Sequence, residues 1–165
     1  MSPSDDPLIR RFVEEAGNTT QALGVGRVAG QVYAYLYFSP APRSLDDLKE
    51  GLGISKGSAS MSVRQLEQWG AVQRVWVKGD RKDYYTANDY FGRIIRNVVS
   101  EVVGKRIEAL GSLMDAADSE FNGKAVGANG RDNHDFLRDK IGRLRQFQKK
   151  VQGTVNNPLV KVMLR

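Results

Sequence analysis

The sequence of 165 residues contains no cysteine, which excludes disulfides, thiolate metal sites and thiol-based redox sensing together. It contains one histidine, His134, in a polar stretch beside Asp132 and Asp135. Capping at a helix start explains those three residues more simply than a metal site does. No serine, histidine and acid constellation stands out, and no paired carboxylates lie in an apolar setting, so neither an enzyme nor a bound cofactor is expected. Long apolar runs are also missing. The longest patch, Tyr33–Phe38, falls far short of the ~18 residues a membrane span needs. The opening residues MSPSDDPLIRR show no basic start, apolar stretch or cleavage site, so a cytoplasmic protein without membrane attachment is expected.

A net charge of one sign is absent from most of the chain. The total is +6, yet 9 of the 25 basic and 3 of the 19 acidic residues lie after residue 130, leaving 16 of each before it. Any acidic partner of the middle of the chain must therefore be argued from local pattern rather than from overall basicity.

The pattern along the chain is mostly helical. Asp6-Pro7 opens a helix that places Leu8, Ile9, Phe12, Val13 and Ala16 on one face. A second helix runs from about Arg27 to Phe38, with Val28, Val32, Tyr35 and Leu36 at helical spacing, until Pro40 and Pro42. Ser44 begins a short helix with Leu45, Leu48 and Leu52 on its buried side and Asp46 and Asp47 near the positive end of its dipole. Gly53 turns the chain, and Ser55 caps a helix in which Ala59, Val63 and Leu66 recur until Trp69-Gly70. From Val72 the period changes to two, Gly79-Asp80 turns the chain, and Tyr84–Thr86 return, so residues 72–87 form a hairpin. Asn88 or Asp89 caps a long helix to about Ala117. Gly123–Asn133 reads as a loop, and a basic amphipathic helix spans Asp135–Val151, ended by Gly153 and Pro158 before an apolar tail, LVKVMLR. Gly24–Ala29 fits a dinucleotide-binding fingerprint literally, but the polar helix before it, in place of an apolar strand, argues against that chemistry.

Helix, glycine turn, helix and hairpin is the order of a winged helix-turn-helix, whose second helix places its N-terminal residues against base edges in the major groove. Candidate contacts on that helix are Ser55, Lys56, Ser58, Ser60, Met61, Arg64 and Gln65. The glycine and serines let the backbone come close, and Arg64 and Gln65 have the donor geometry for guanine and adenine respectively. No acidic residue appears there before Glu67. The hairpin tip KGDRK supplies Lys78, Asp80, Arg81 and Lys82, with Arg81 placed for a minor groove and the lysines for phosphates. An isolated KGDRK is equally an ordinary solvated turn. Directly after a matching helix pair, it reads as a DNA-contacting wing.

The stretch LDDLKEGLGISKGSASMSVRQLEQWGAVQRVWVKGDRKDYYTA resembles the DNA-binding core of the GbsR branch of MarR-type transcriptional regulators. The resemblance is strongest over residues 44–87 and extends loosely over about 8–120. It implies a homodimer whose terminal helices pair, two winged motifs reading a roughly palindromic operator in double-stranded DNA and, in several members, repression relieved by a small osmoprotectant-related molecule.

The fold class expected is mainly α (α+β), a winged helix-turn-helix with a β-hairpin wing plus long C-terminal dimerisation helices. Residues 1–88 form the DNA-binding domain, whose N-terminal helix is a further candidate for the dimer interface. Residues 89–165 form a helical arm with a flexible loop near 123–133. Adjacent apolar pairs, Tyr90-Phe91, Ile94-Ile95, Val98-Val99 and Val102-Val103, make the long helix's stripe wider than one packing partner requires, which favours a dimer seam. Tyr37, Trp69, Trp76 and Tyr90 are candidates for caging a quaternary ammonium or osmolyte effector, set against their plainer role as core and strand-face residues. For the basic C-terminal helix, a solvated outer face of Arg138, Lys140, Arg143, Arg145, Lys149 and Lys150 is the default reading. The rival to DNA binding is a winged-helix protein-interaction module.

Overall fold

The computed structural model describes residues 3, 6–123 and 131–155. The chain divides into two compact units, Met1–Val98 and Val99–Arg165. The elements in order are α1 (Pro7–Ala22), α2 (Arg27–Tyr37), β1 (Arg43–Ser44), α3 (Leu45–Leu52), α4 (Lys56–Gln68), β2 (Val72–Val75), β3 (Tyr84–Ala87), α5 (Phe91–Gly123) and α6 (Arg131–Val155).

Three helix starts follow from their capping side chains. The Asp6 carboxylate accepts hydrogen bonds from the amides of Leu8, at 2.8 Å, and Ile9, at 3.3 Å, with Pro7 in the first helical position. Ser44 and Asp47 form a reciprocal box: Ser44 Oγ accepts from the Asp47 amide at 3.2 Å, while Asp47 Oδ2 accepts from the Ser44 amide at 2.7 Å. Ser55 Oγ accepts from the Ser58 amide at 3.0 Å. Each such cap is worth about 1 kcal/mol. Gly53, at φ +65, makes the left-handed turn between α3 and α4 that fixes their crossing.

The core of the first unit is built from one face of each helix. Val32, Leu48, Val63 and Trp69 are fully buried, with Ala59, Leu66, Val72 and Tyr85 around them. The triad Ala59, Val63 and Leu66 faces inward as its spacing requires, joined by Ser62. The apolar face of α1 divides: Val13 enters the core with Ile9 and Ala16 against it, whereas Leu8 and Phe12 stay more than half exposed. At Gly30 the backbones of α1 and α2 nearly touch, and a Cβ there would sit 2.4 Å from the carbonyl oxygen of Ala16. The Gly24–Gly26 segment is a turn between two helices, which leaves no strand for dinucleotide binding.

The sheet has three antiparallel strands in the order β1-β3-β2, one more than the predicted hairpin. The two-residue β1 pairs Arg43 with Tyr85 and Ser44 with Tyr84. β2 stops at Val75, opposite Tyr84, so Trp76 and Val77 leave the ladder although the alternating pattern continued through them.

The first unit extends past residue 88 because the opening of α5 is hooked to the end of α4. Asn97 Nδ2 donates to the carbonyl of Trp69 at 2.9 Å, and Asn88 Nδ2 donates to that of Gly70 at 2.9 Å. Asn88, a candidate cap by sequence, thus spends its amide on α4. Tyr33 Oη donates to the Asn88 carbonyl at 2.7 Å, and burial, reinforced by Tyr37 and Asp89, pushes this hydroxyl up to about 12 and keeps it a donor. Ile94 and Val98 pack on the core, Phe91 lies half-exposed against the rings of Tyr33 and Tyr37, and Ile95 points outward.

In the second unit, α5 from Val99 onward and α6 run antiparallel. Gln148 Nε2 donates to the Ile107 carbonyl at 2.9 Å, and the Arg145 guanidinium bridges Asp115, at 2.7 Å, and Asp118, at 2.6 Å. Arg145 is therefore a tie between helices rather than part of a solvated face. Both helices exceed their predicted lengths: α5 continues to Gly123 and α6 begins at Arg131 and ends at Val155, so Gly153 does not stop it. Residues 124–130 of the expected loop, the apolar tail, and the side chains of Asp132 and His134 lie outside the described residues.

Candidate nucleic-acid interface

With Ala59, Ser62, Val63 and Leu66 buried, the opposite face of α4 presents Gly57, Met61, Arg64 and Gln68 at spacings of four, three and four, all exposed. Ser60 and Gln65 flank this face and are half-buried, and Glu67 lies at its edge. Met61 is 74% exposed, an apolar side chain held out to solvent in the middle of an otherwise polar surface. Gln68 was missed by the sequence reading, although the spacing of the buried triad already pointed it outward beside Arg64.

The first turn of α4 is less free than its composition suggests. Ser55 Oγ caps the helix and also lies 2.9 Å from Ser58 Oγ. Lys56 Nζ pairs with Asp46 Oδ1 at 2.8 Å, and Lys82 Nζ of the wing reaches Asp46 Oδ2 at 3.4 Å. These contacts, chiefly the hydrogen bond from Lys56, hold the Asp46 carboxyl below the usual carboxylate range. Asp46 was expected only to complement the helix dipole of α3, because its two lysines are distant in sequence.

Within the wing, the Asp80 amide donates to the Val77 carbonyl at 3.3 Å across Gly79, whose φ of +88 suits glycine. Asp80 Oδ1 accepts from the Lys82 amide at 3.0 Å and Oδ2 from the Tyr84 hydroxyl at 2.8 Å. These bonds lower the Asp80 pKa, the Lys82 amide contributing most, and they raise that of Tyr84. Asp80, expected as a wing contact, thus shapes the tip that carries Arg81. Arg74 pairs with Asp83 at 3.3 Å. Among the described residues, Arg64, Lys78 and Arg81 make no ion pair and stay exposed.

The aromatic effector candidates are dispersed. Trp69 is 2% exposed and belongs to the core, whereas Trp76 is 78% exposed on the wing. Tyr37 stacks with Tyr33, ring centroids 6.1 Å apart, and meets Phe91 at 5.5 Å. The face of Tyr90 is already covered by the Arg93 guanidinium, 4.4 Å from its centroid.

An outward polar helix capped at its N-terminus, followed by a cationic hairpin whose sheet β1 completes, is winged helix-turn-helix geometry. No family model matches the chain. It is, however, 32% identical over 114 residues to the HTH-type transcriptional regulator MmpR5 of Mycobacterium tuberculosis, an alignment covering 68% of this chain and 65% of that protein. The chain is thus similar to HTH-type transcriptional regulators. The HTH-type transcriptional repressor GbsR of Bacillus subtilis is 27% identical over 85 residues, covering 52% of this chain and 47% of the repressor, in keeping with the resemblance seen over residues 44–87. A crystal structure of a transcriptional regulator superposes with a TM-score of 0.60 at 28% identity, covering 96% of both chains. The alignments thus span about half to just under two thirds of these two curated regulators. Its relatives regulate transcription, and no helix among the described residues is long and apolar enough to cross a membrane.

Proposed function

We propose that the chain is a cytoplasmic, sequence-specific DNA-binding regulator, a repressor acting as a homodimer on a roughly palindromic operator. The observation that carries the reading is the outward face of α4, with Gly57, Met61, Arg64 and Gln68 free of carboxylates, next to a wing whose Lys78 and Arg81 are not ion-paired. In this reading α4 enters the major groove. Arg64 addresses guanine, Met61 meets a thymine methyl, Lys56, Ser58, Ser60 and Gln65 complete the contacts, and Arg81 follows the minor groove. Ser55 contributes through the helix start it holds, and Lys78 and Lys82 face phosphates.

Gly57 supports this reading from the side of stability. A Cβ there would meet only Ser55 Oγ, at 3.8 Å, so nothing inside the protein requires a glycine. In a helix, glycine costs about 0.5–1 kcal/mol relative to alanine. Gly57→Ala is expected to raise the thermal midpoint by a few degrees yet weaken operator binding at least several-fold, as measured by differential scanning fluorimetry and fluorescence anisotropy. Unchanged binding would remove the close approach assigned to Gly57.

Dimerisation is supported by large apolar side chains that their own unit leaves exposed: Leu8, Phe12, Phe91 and Ile95 in the first, Leu113, Phe136 and Phe147 in the second. Sedimentation at micromolar concentration should give twice the chain mass, and a monomer would overturn the dimer. For a quaternary ammonium or osmolyte effector, the Tyr37 stack supplies the best-placed rings, and a thermal-shift screen with no response to choline, betaine or ectoine would remove that assignment. The exposed Met61 and Trp76 favour the rival reading, docking onto a protein. Salt-sensitive, sequence-selective duplex binding by the full chain decides against it.

A further inference from the structure

Among the described residues, Asp46 is the carboxylate that links the two DNA-facing elements. It lies in the first turn of α3, with one oxygen 2.8 Å from Lys56 at the start of α4 and the other 3.4 Å from Lys82 on the wing. It has no share in capping α3, which Ser44 and Asp47 accomplish between themselves. All three side chains are at least a third exposed, so the bridge contributes little to folding. Its effect falls on the two ammonium groups, which on their flexible stems would otherwise settle on whatever phosphate came near.

We propose that Asp46 is a positioning residue that determines DNA specificity, a role resting on the DNA-binding reading above. Tied to one carboxylate, Lys56 and Lys82 hold their charges at a fixed place between the recognition helix and the wing. A duplex that fits the whole face meets them preset. A random duplex must either displace Asp46 or bring a phosphate up to its negative charge. Asp46 therefore weakens binding to non-specific DNA more than binding to the operator.

The test compares wild type, Asp46→Asn, Lys56→Gln/Lys82→Gln and the triple variant, each as the full chain, on operator and scrambled duplexes across a salt series. Asp46→Asn should bind scrambled DNA about three- to tenfold more tightly and steepen the salt dependence by roughly one to two phosphate contacts, at ~0.9 in log-log slope each. Operator affinity should change less, so that the discrimination ratio falls. In the background lacking both lysines, Asp46→Asn should have little further effect. An effect of full size in that background would show general charge removal and overturn the proposal, as would an unchanged ratio in a wild type that does select its operator. A wild type that binds no duplex would instead overturn the DNA-binding reading on which the proposal rests. Thermal midpoints within a few degrees of one another confirm that all four proteins are folded.

Discussion

Replacing Arg64 with alanine is expected to lower operator affinity by about ten- to a hundredfold, the range of 1–3 kcal/mol for a bidentate guanine contact. Arg64 is the exposed cation at the centre of the outward face of α4, and no carboxylate among the described residues is ion-paired with it. Its charge and its planar donors are therefore available to a partner rather than used in the fold. Affinity for scrambled duplexes should fall far less, because the contact is to a base and not to a phosphate. Lysine at this position should restore little of the lost selectivity, since it offers a point charge in place of the two-donor edge. Equal losses on operator and scrambled DNA, measured by anisotropy at fixed salt, would reassign Arg64 to the backbone. Arg81→Ala should show the complementary pattern, a moderate loss that depends on the A·T content of the flanking site.

The second large effect belongs to Trp69. Its side chain is 2% exposed at the end of α4, and its carbonyl accepts the Asn97 hydrogen bond that ties α4 to α5. Trp69→Ala should destabilise the winged unit by about 3–5 kcal/mol, a large share of the ~5–15 kcal/mol that a domain has. At roughly 4–8 °C per kcal/mol for a unit of this size, the midpoint followed by circular dichroism should drop by more than ~12 °C. Trp76 provides the contrast. Being 78% exposed, its replacement by alanine should stay within about 0.5 kcal/mol of wild type. Comparable losses at the two tryptophans would contradict this division of roles.

Most of the winged unit was legible from single residues with unambiguous local chemistry. Asp6, Ser44 and Ser55 announced three helix starts, and the spacing of Ala59, Val63 and Leu66 fixed the buried face of α4. What escaped was set by pairing across the fold. β1 is two residues long and has no period of its own; it exists because Arg43 and Ser44 meet Tyr85 and Tyr84. β2 ends at Val75 because Asp80 closes the tip onto Tyr84, which the alternation of Val75 and Val77 could not reveal. Local composition misled at the helix ends as well. The glycines and asparagines from Gly123 to Asn133 suggested a long loop, yet α5 reaches Gly123 and α6 resumes at Arg131.

Of the candidate site, the identities on α4 and at the tip were readable, but their use was not. Lys56, read as a contact on the recognition helix, and Lys82, read as a phosphate contact of the wing, share Asp46, and Asp80, read as a wing contact, also braces the tip. Ion pairs between distant segments leave no periodic trace in a sequence. Of the aromatic effector candidates, Trp69 belongs to the core, Trp76 to the wing and Tyr37 to a surface stack.

Selection of the full chain on a random-sequence duplex library at near-physiological salt tests the central claim most directly. Enrichment of a roughly palindromic motif is predicted, with half-sites about 10 base pairs apart and a base preference that is relaxed by Arg64→Ala at one position in each half. A library that returns no enriched motif, from a protein shown to be folded, would contradict the assignment of α4 and the wing to DNA.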